Sequence, residues 1–204
     1  KAMPSSIGLF FGAYTEALLD DCSMLRNAYD LNNQNPLGSA AGYGTGFAID
    51  REYTTKLLGF AKVQNNTLYC QNSRGKIEGA VLHALMQVMN DCAKLANDLL
   101  LFTMPQFHYF SFPNEFTTGS SIMPQKKNLD IFELVRGKAA LVQGNFLAVN
   151  SIGFKAPSGY NREYQLMKKP MIESFTITQQ TLDIMNASLQ KIHVHETNCK
   201  KDCT

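Results

Sequence analysis

The strongest constraint in the chain is an apolar seam. Ile77, Val81, Leu85, Val88, Cys92, Leu95, Leu99 and Phe102 succeed one another at spacings of three and four residues. A strand alternates every second residue, so this run is a helix, predicted over 74–104. The seam is narrow, close to that of a coiled coil. A second helix is predicted over 5–29, capped by Ser5 or Ser6, with Ile7, Phe10, Phe11, Tyr14, Leu18 and Cys22 on its apolar face. A third runs from 130 to about 152, with Ile131, Leu134, Val135, Leu141, Val142, Phe146 and Val149 inward. A fourth spans about 161–192, and Pro170 inside it should kink or break it, because proline removes a backbone donor.

Helical periods this long point to an all-α bundle of long helices rather than to an α/β domain. Such helices bury one stripe within the chain and leave apolar surface for a partner copy. The 204 residues have 45% hydrophobic and 18% charged side chains, which excludes disorder. The net charge of +2 is spread thinly, so there is no electrostatic footprint for nucleic acid or for an acidic membrane surface. No apolar run is long enough for a transmembrane helix, and no secretory leader pattern is present. Five cysteines, an odd number, make a poor disulfide framework and read as free thiols in a reducing compartment. The chain opens on Lys1 and closes on a polar stretch, and is expected to be an excerpt of a longer protein.

Three loops interrupt the helices, at 32–47, 107–128 and 152–160. Loops of about 15 residues are uncommon in compact domains and usually carry function. The second ends in Gly119-Ser120-Ser121-Ile122-Met123-Pro124-Gln125-Lys126-Lys127-Asn128. Glycine permits close backbone approach, two hydroxyls come next, and two lysines with an asparagine precede a helix N-terminus. Free N–H groups and the helix dipole there favour an anion, a carboxylate or a phosphate. A solvated Ser/Lys loop ending in a cap is the plainer alternative.

This loop resembles the signature of the fumarase/aspartase superfamily, Gly-Ser-Ser-x-Met-Pro-x-Lys-x-Asn-Pro, with Leu129 in place of the final proline. That change bears on the stiffness of the helix start and touches no reacting group. Residues 130–138 (DIFELVRGK) and 158–168 (SGYNREYQLMK) are similar to argininosuccinate lyases, the second with Glu163 for the family's Asp. The segments 35–42 (NPLGSAAG), 49–52 (IDRE) and 57–60 (LLGF) resemble a third block of that family. The resemblance covers most of the chain in order. It implies the central helical domain of the superfamily fold over 1–204, with the N-terminal domain absent and the C-terminal domain absent or barely begun.

The resemblance further implies a β-elimination that splits argininosuccinate into arginine and fumarate, without a cofactor or metal. Ser120 takes the place of the base, Lys126 and Asn128 hold the substrate carboxylate, and Glu133 orients a catalytic histidine. Ser121, Tyr160, Gln165 and Lys168 contact substrate; Gln165 and Lys168, three apart, share a helix face. The family's histidine belongs to a Thr-His-x-Gln segment, and residues 1–4 resemble the positions directly after that segment. The resemblance also implies a cytoplasmic homotetramer whose sites draw on more than one subunit. Two other readings stay open: adenylosuccinate lyase or another superfamily lyase, against which residues 160–168 argue, and a non-catalytic oligomerisation scaffold. Within 193–203, His193, His195, Cys199 and Cys203 could bind a soft metal, but their spacing matches no common zinc motif, and a polar helix end is the preferred reading.

Overall fold

The computed structural model describes residues 3–203. It is an all-α bundle built from α1 (Ile7–Asn32), α2 (Arg51–Leu58), α3 (Thr67–Asn72), α4 (Lys76–Thr103), α5 (Asp130–Lys155), α6 (Lys168–Leu189) and α7 (Glu196–Lys201). Four two-residue strands pin the connections. β1 (Gln34–Asn35) pairs in parallel with β2 (Lys62–Val63), and β3 (Phe110–Ser111) pairs antiparallel with β4 (His193–Val194). No helix among the described residues is long and apolar enough to cross a membrane. All five cysteines are free thiols.

The α4 helix is the axis, packed by α1, α5 and α6. Leu85, Val88, Cys92, Leu95 and Leu99 of the predicted seam are buried, but so are Gly79, Leu82, Ala84, Met89 and Ala96. The seam is therefore wider than expected, because three neighbours cover the helix rather than one. Truncating a fully buried side chain here, such as Leu82 or Leu99 at 0% exposure, costs about 2–5 kcal/mol.

The α5 helix buries Phe132, Val135, Ala139, Val142 and Val149, at spacings of three, four, three and seven. Leu134 and Leu141, expected inside, are 62% and 56% exposed. They lie on a second apolar face that residues of this chain do not cover, and a one-sequence period count does not separate two such faces. The same holds for α1. Its Ser6 hydroxyl, rather than that of Ser5, accepts the Leu9 amide at 3.1 Å as N-cap. Phe10, Phe11, Tyr14 and Leu18 pack on the α4 side, while Cys22, expected inward, is exposed.

Pro170 does not interrupt a long helix. Residues Arg162–Met167 form a 3-10 turn, and α6 begins at Lys168, which puts Pro170 in its first helical turn. The amide that proline lacks would have no intrahelical partner there, so nothing is lost.

The α4 and α5 helices run antiparallel and meet backbone to backbone at Gly75 and Gly153. A Cβ on Gly153 would stand 2.7 Å from the Gly75 Cα. Gly75 also has φ +84°, open to glycine at little cost. The Glu78 carboxylate accepts the Gly75 amide at 2.7 Å and pairs with Arg74 at 2.6 Å. Arg74 in turn sits over the ring of Tyr164, 5.6 Å from its centroid.

One buried charge stands out on the α1–α4 face. Asp21 is 3% exposed, and its Oδ2 has no hydrogen-bond partner. Burial, reinforced by Asp91 and then Asp20, pushes its carboxyl up from 3.8 to about 6.

Gly153→Ala meets backbone that cannot yield as a flexible side chain would, and should lower unfolding free energy by about 1–3 kcal/mol in urea titration. Asp21 holds a proton in the folded state that the unfolded chain has released, so its contribution to stability falls as pH rises from about 4 to about 6. Asp21→Asn should melt above wild type at pH 8, with the difference shrinking toward pH 4. A Tm difference independent of pH would contradict this assignment.

Candidate active site

The signature loop hangs between two fixed points. Thr118 and Asn128 exchange backbone hydrogen bonds, each of 2.9 Å, as an isolated antiparallel bridge. The Thr118 hydroxyl donates to the Asp130 carboxylate in the first turn of α5, and Lys127 Nζ donates to Asn114 Oδ1 at 2.7 Å. Residues 119–127 thus form a lasso closed at its base. Leu129, where the family has proline, is the N-cap residue of α5 without a side-chain cap bond. Thr118 is bonded on both sides of Leu129, to Asn128 and to Asp130, and Leu129 packs against the cluster that holds Leu99, Phe110 and Phe132.

Within the lasso, Ser120 is half-buried and its Oγ accepts the backbone amides of Ile122 and Met123, both at 3.2 Å. Two N–H dipoles aimed at one hydroxyl oxygen favour negative charge on it. The amide of Lys126 closes a turn onto the Met123 carbonyl at 3.0 Å, leaving its ammonium exposed. Asn128 and Glu133 line a groove of about 570 Å³ with Lys127, His108, Phe110 and Leu129. Ser120 and Lys126 are not among the residues lining it. The side chains of Ser121, Lys126 and Glu133 make no hydrogen bond to other described residues, so each is available to a ligand.

Tyr160, Gln165 and Lys168 lie elsewhere. Gln165 Nε2 donates to the Tyr160 hydroxyl at 3.1 Å. Tyr164 and Met167 turn inward and are buried, which leaves Gln165 and Lys168 outward. Side chains three apart eclipse in a 3-10 turn, so the shared face expected of a helix persists. The third sequence block folds against this same end. Asn72 Oδ1 accepts the Gly159 amide at 2.8 Å, Asn72 Nδ2 donates to Ser158 Oγ at 3.3 Å, and Gln71 Nε2 donates to the Ala40 carbonyl at 3.4 Å.

The two groups sit at opposite ends of α5. Its 26 residues span about 39 Å at 1.5 Å each. Ser120 stands on the loop before that helix and Tyr160 on the segment after it, in two separate groups of candidate residues.

The residues that shape the backbone around the second group were not legible as functional. Asn35 is fully buried, and its amide group donates to the Thr55 hydroxyl at 2.9 Å and to the Thr54 hydroxyl at 3.1 Å. Asn72 stands on the short helix α3. Only the block resemblance marks the first, and nothing in composition marks the second.

The His/Cys segment does not gather as ligands do. His195 stacks on His108 at 4.2 Å between ring centroids, His193 meets His195 edge-on at 4.6 Å, and His195 Nε2 shares a 2.9 Å hydrogen bond with Ser111 Oγ. Burial, then the neighbouring imidazoles His108 and His193, lowers the His195 pKa. No group of three or more metal-ligating side chains converges among the described residues.

The fold is that of an all-α bundle with a Gly-Ser-Ser loop before a long helix of its core, and comparison with known proteins gives the family. The family described as Lyase matches residues 1–144, and the chain belongs to it. Similar curated proteins are argininosuccinate lyases. That of Parabacteroides distasonis is 43% identical over 96% of this chain and 44% of its own length. That of Thermotoga neapolitana is 41% identical over 100% of this chain and 51% of its own. The chain spans about half the length of the curated relatives it matches. Among solved structures, a class II fumarase from Schistosoma mansoni shares the fold, with a TM-score of 0.86 and 16% identity over 98% of this chain and 47% of that one. Residues 1 and 2, the first half of the stretch that resembles the positions after the family's histidine, lie outside the described residues.

Thr118→Val should free the lasso at its base. The expected result is faster hydrogen exchange across 119–128 with a stability loss of about 1 kcal/mol or less, since the bond is exposed. Unchanged exchange would mean that the Asp130 bond does not hold the loop.

Proposed function

We propose that this chain is the central helical part of an argininosuccinate lyase, which eliminates arginine from L-argininosuccinate to leave fumarate. The observation that carries this reading is 41–43% identity to argininosuccinate lyases along 96–100% of the chain. The signature loop lies within that span. A helical bundle by itself is compatible with many activities.

In this reading Ser120 is the base. A serine hydroxyl is a weak base unless its alkoxide is stabilised, and the two amides at 3.2 Å support that role. Ser120 takes the proton from the carbon next to a substrate carboxylate. Lys126 and Asn128 hold that carboxylate as it gains charge. The electron pair left on carbon then forms the double bond of fumarate, the carbon–nitrogen bond breaks, and an acid protonates the departing guanidino nitrogen. Ser121, Tyr160, Gln165 and Lys168 bind the remainder of the substrate, and Glu133 orients the family's histidine. No cofactor is required.

The reading needs more than one copy. Half-sites at opposite ends of a helix about 39 Å long join when α5 helices from different subunits lie antiparallel. The exposed Leu134, Leu141, Leu147 and Phe154 give α5 an apolar face for such an assembly. A cytoplasmic homotetramer with free thiols is the proposed state.

Ser120→Ala in the full-length protein should lower kcat by at least about a thousandfold while light scattering still reports a tetramer. A near-normal kcat would remove Ser120 from the base role. Faster fumarate release from adenylosuccinate than from argininosuccinate would replace the substrate. A wild-type protein that assembles but releases no fumarate from either would favour a scaffold.

A further inference from the structure

Arg51, at the start of α2, clamps two stretches of backbone just beyond the β1–β2 pair, the turn at Leu37 and the Gln64–Asn65 segment. Its Nε donates to the Leu37 carbonyl at 2.8 Å, Nη1 to the Asn65 carbonyl at 3.1 Å, and Nη2 to the Gln64 carbonyl at 2.8 Å. Nη2 also lies 3.8 Å from the Cys70 Sγ. No described carboxylate is within ion-pair range of this guanidinium. A cation spent wholly on carbonyls, in a planar fork, is a geometric device rather than a surface charge. Gly38 packs on it so closely that a Cβ there would stand 3.0 Å from the Arg51 Cγ.

Both stretches lead to one place. The turn after Leu37 meets α3 through Ala40 and Gln71. The Gln64–Asn65 strand end sets the start of α3. At the far end of α3, Asn72 grips Ser158 and Gly159, and the next residue is Tyr160, bonded to Gln165. We propose that Arg51 is a positioning residue for the Tyr160–Gln165 half-site, acting through α3 and Asn72. This rests on the lyase reading for what that half-site binds, but not for the geometry itself.

The test places 3-fluorotyrosine at position 160 of the full-length protein and tracks its fluorine resonance, together with kcat, KM and Tm. Arg51→Lys keeps the charge and loses the fork. It should shift or broaden the resonance and raise KM for argininosuccinate about tenfold, with kcat within about twofold, because the variant displaces substrate-binding side chains and leaves the Ser120 loop as it is. Asn72→Ala, which leaves the Arg51 cluster intact, should do the same. Arg26→Gln, at an exposed pair on α1, should change neither. A purely structural Arg51 would lower Tm and leave the resonance of the folded protein at its wild-type position. An unmoved Tyr160 resonance with unmoved KM, in either Arg51→Lys or Asn72→Ala, overturns the proposal. If Arg51→Lys does not fold, the Asn72 variant decides by itself. If the wild type turns over no argininosuccinate, the lyase reading fails, and the fluorine signal still decides the role of Arg51.

Discussion

The close antiparallel contact of α4 with α5 is the constraint on which the rest hangs. Two glycines, Gly75 and Gly153, let the backbones touch where the helices cross. That contact brings the end of α5 beside the start of α4, and the chain leaving α5 sets its Tyr164 ring against Arg74. The Tyr160 segment is thereby carried to α3 and the Asn35–Gly42 turn. At the other end, 26 residues away, the same helix launches from the signature loop. A rigid rod between two sets of candidate residues keeps them apart within one chain. Assembly is then a requirement of the proposed chemistry rather than an addition to it.

Both half-sites use hydrogen bonds to shape irregular backbone. The lasso is closed by Thr118, bonded to Asn128 on one side and to Asp130 on the other. The Asn35 turn is closed by a buried amide and a guanidinium. These are costly groups to bury unpaired, and each is paired. By contrast, Asp21 is buried with one oxygen unpaired, and its carboxyl answers by holding its proton to higher pH. The exposed Leu134 and Leu141 give α5 a second apolar face, the one that the proposed assembly covers.

Much of this was legible in the amino-acid order. The 3.6-residue period announced α1, α4 and α5, and the Ser5-Ser6 pair announced a cap, which the structure gives to Ser6. The Gly119–Asn128 run offered an anion site or a plain solvated loop before any resemblance was drawn, and the proposed function takes up the first. The period failed where two apolar stripes share one helix: Leu134 and Leu141 read as core, and Cys22 as buried. Pro170 read as an internal break, because a 3-10 turn and a helix start look like one helix in a period count. The short helices α2, α3 and α7 left no periodic signal, having too few turns to show one.

What the sequence by itself determined is local: which stretches are helices, where they are capped, and which loop concentrates hydroxyls and lysines before a helix N-terminus. Those depend on neighbours within about one or two turns. What only the tertiary structure decided is distance. That Asn72 holds Gly159, that Arg51 ties Leu37 to Gln64, and that Ser120 and Tyr160 stand at opposite ends of one rod are consequences of packing between segments far apart in the chain. Side-chain chemistry can be read from one residue to the next, but the length and direction of a helix between two loops place that chemistry in space.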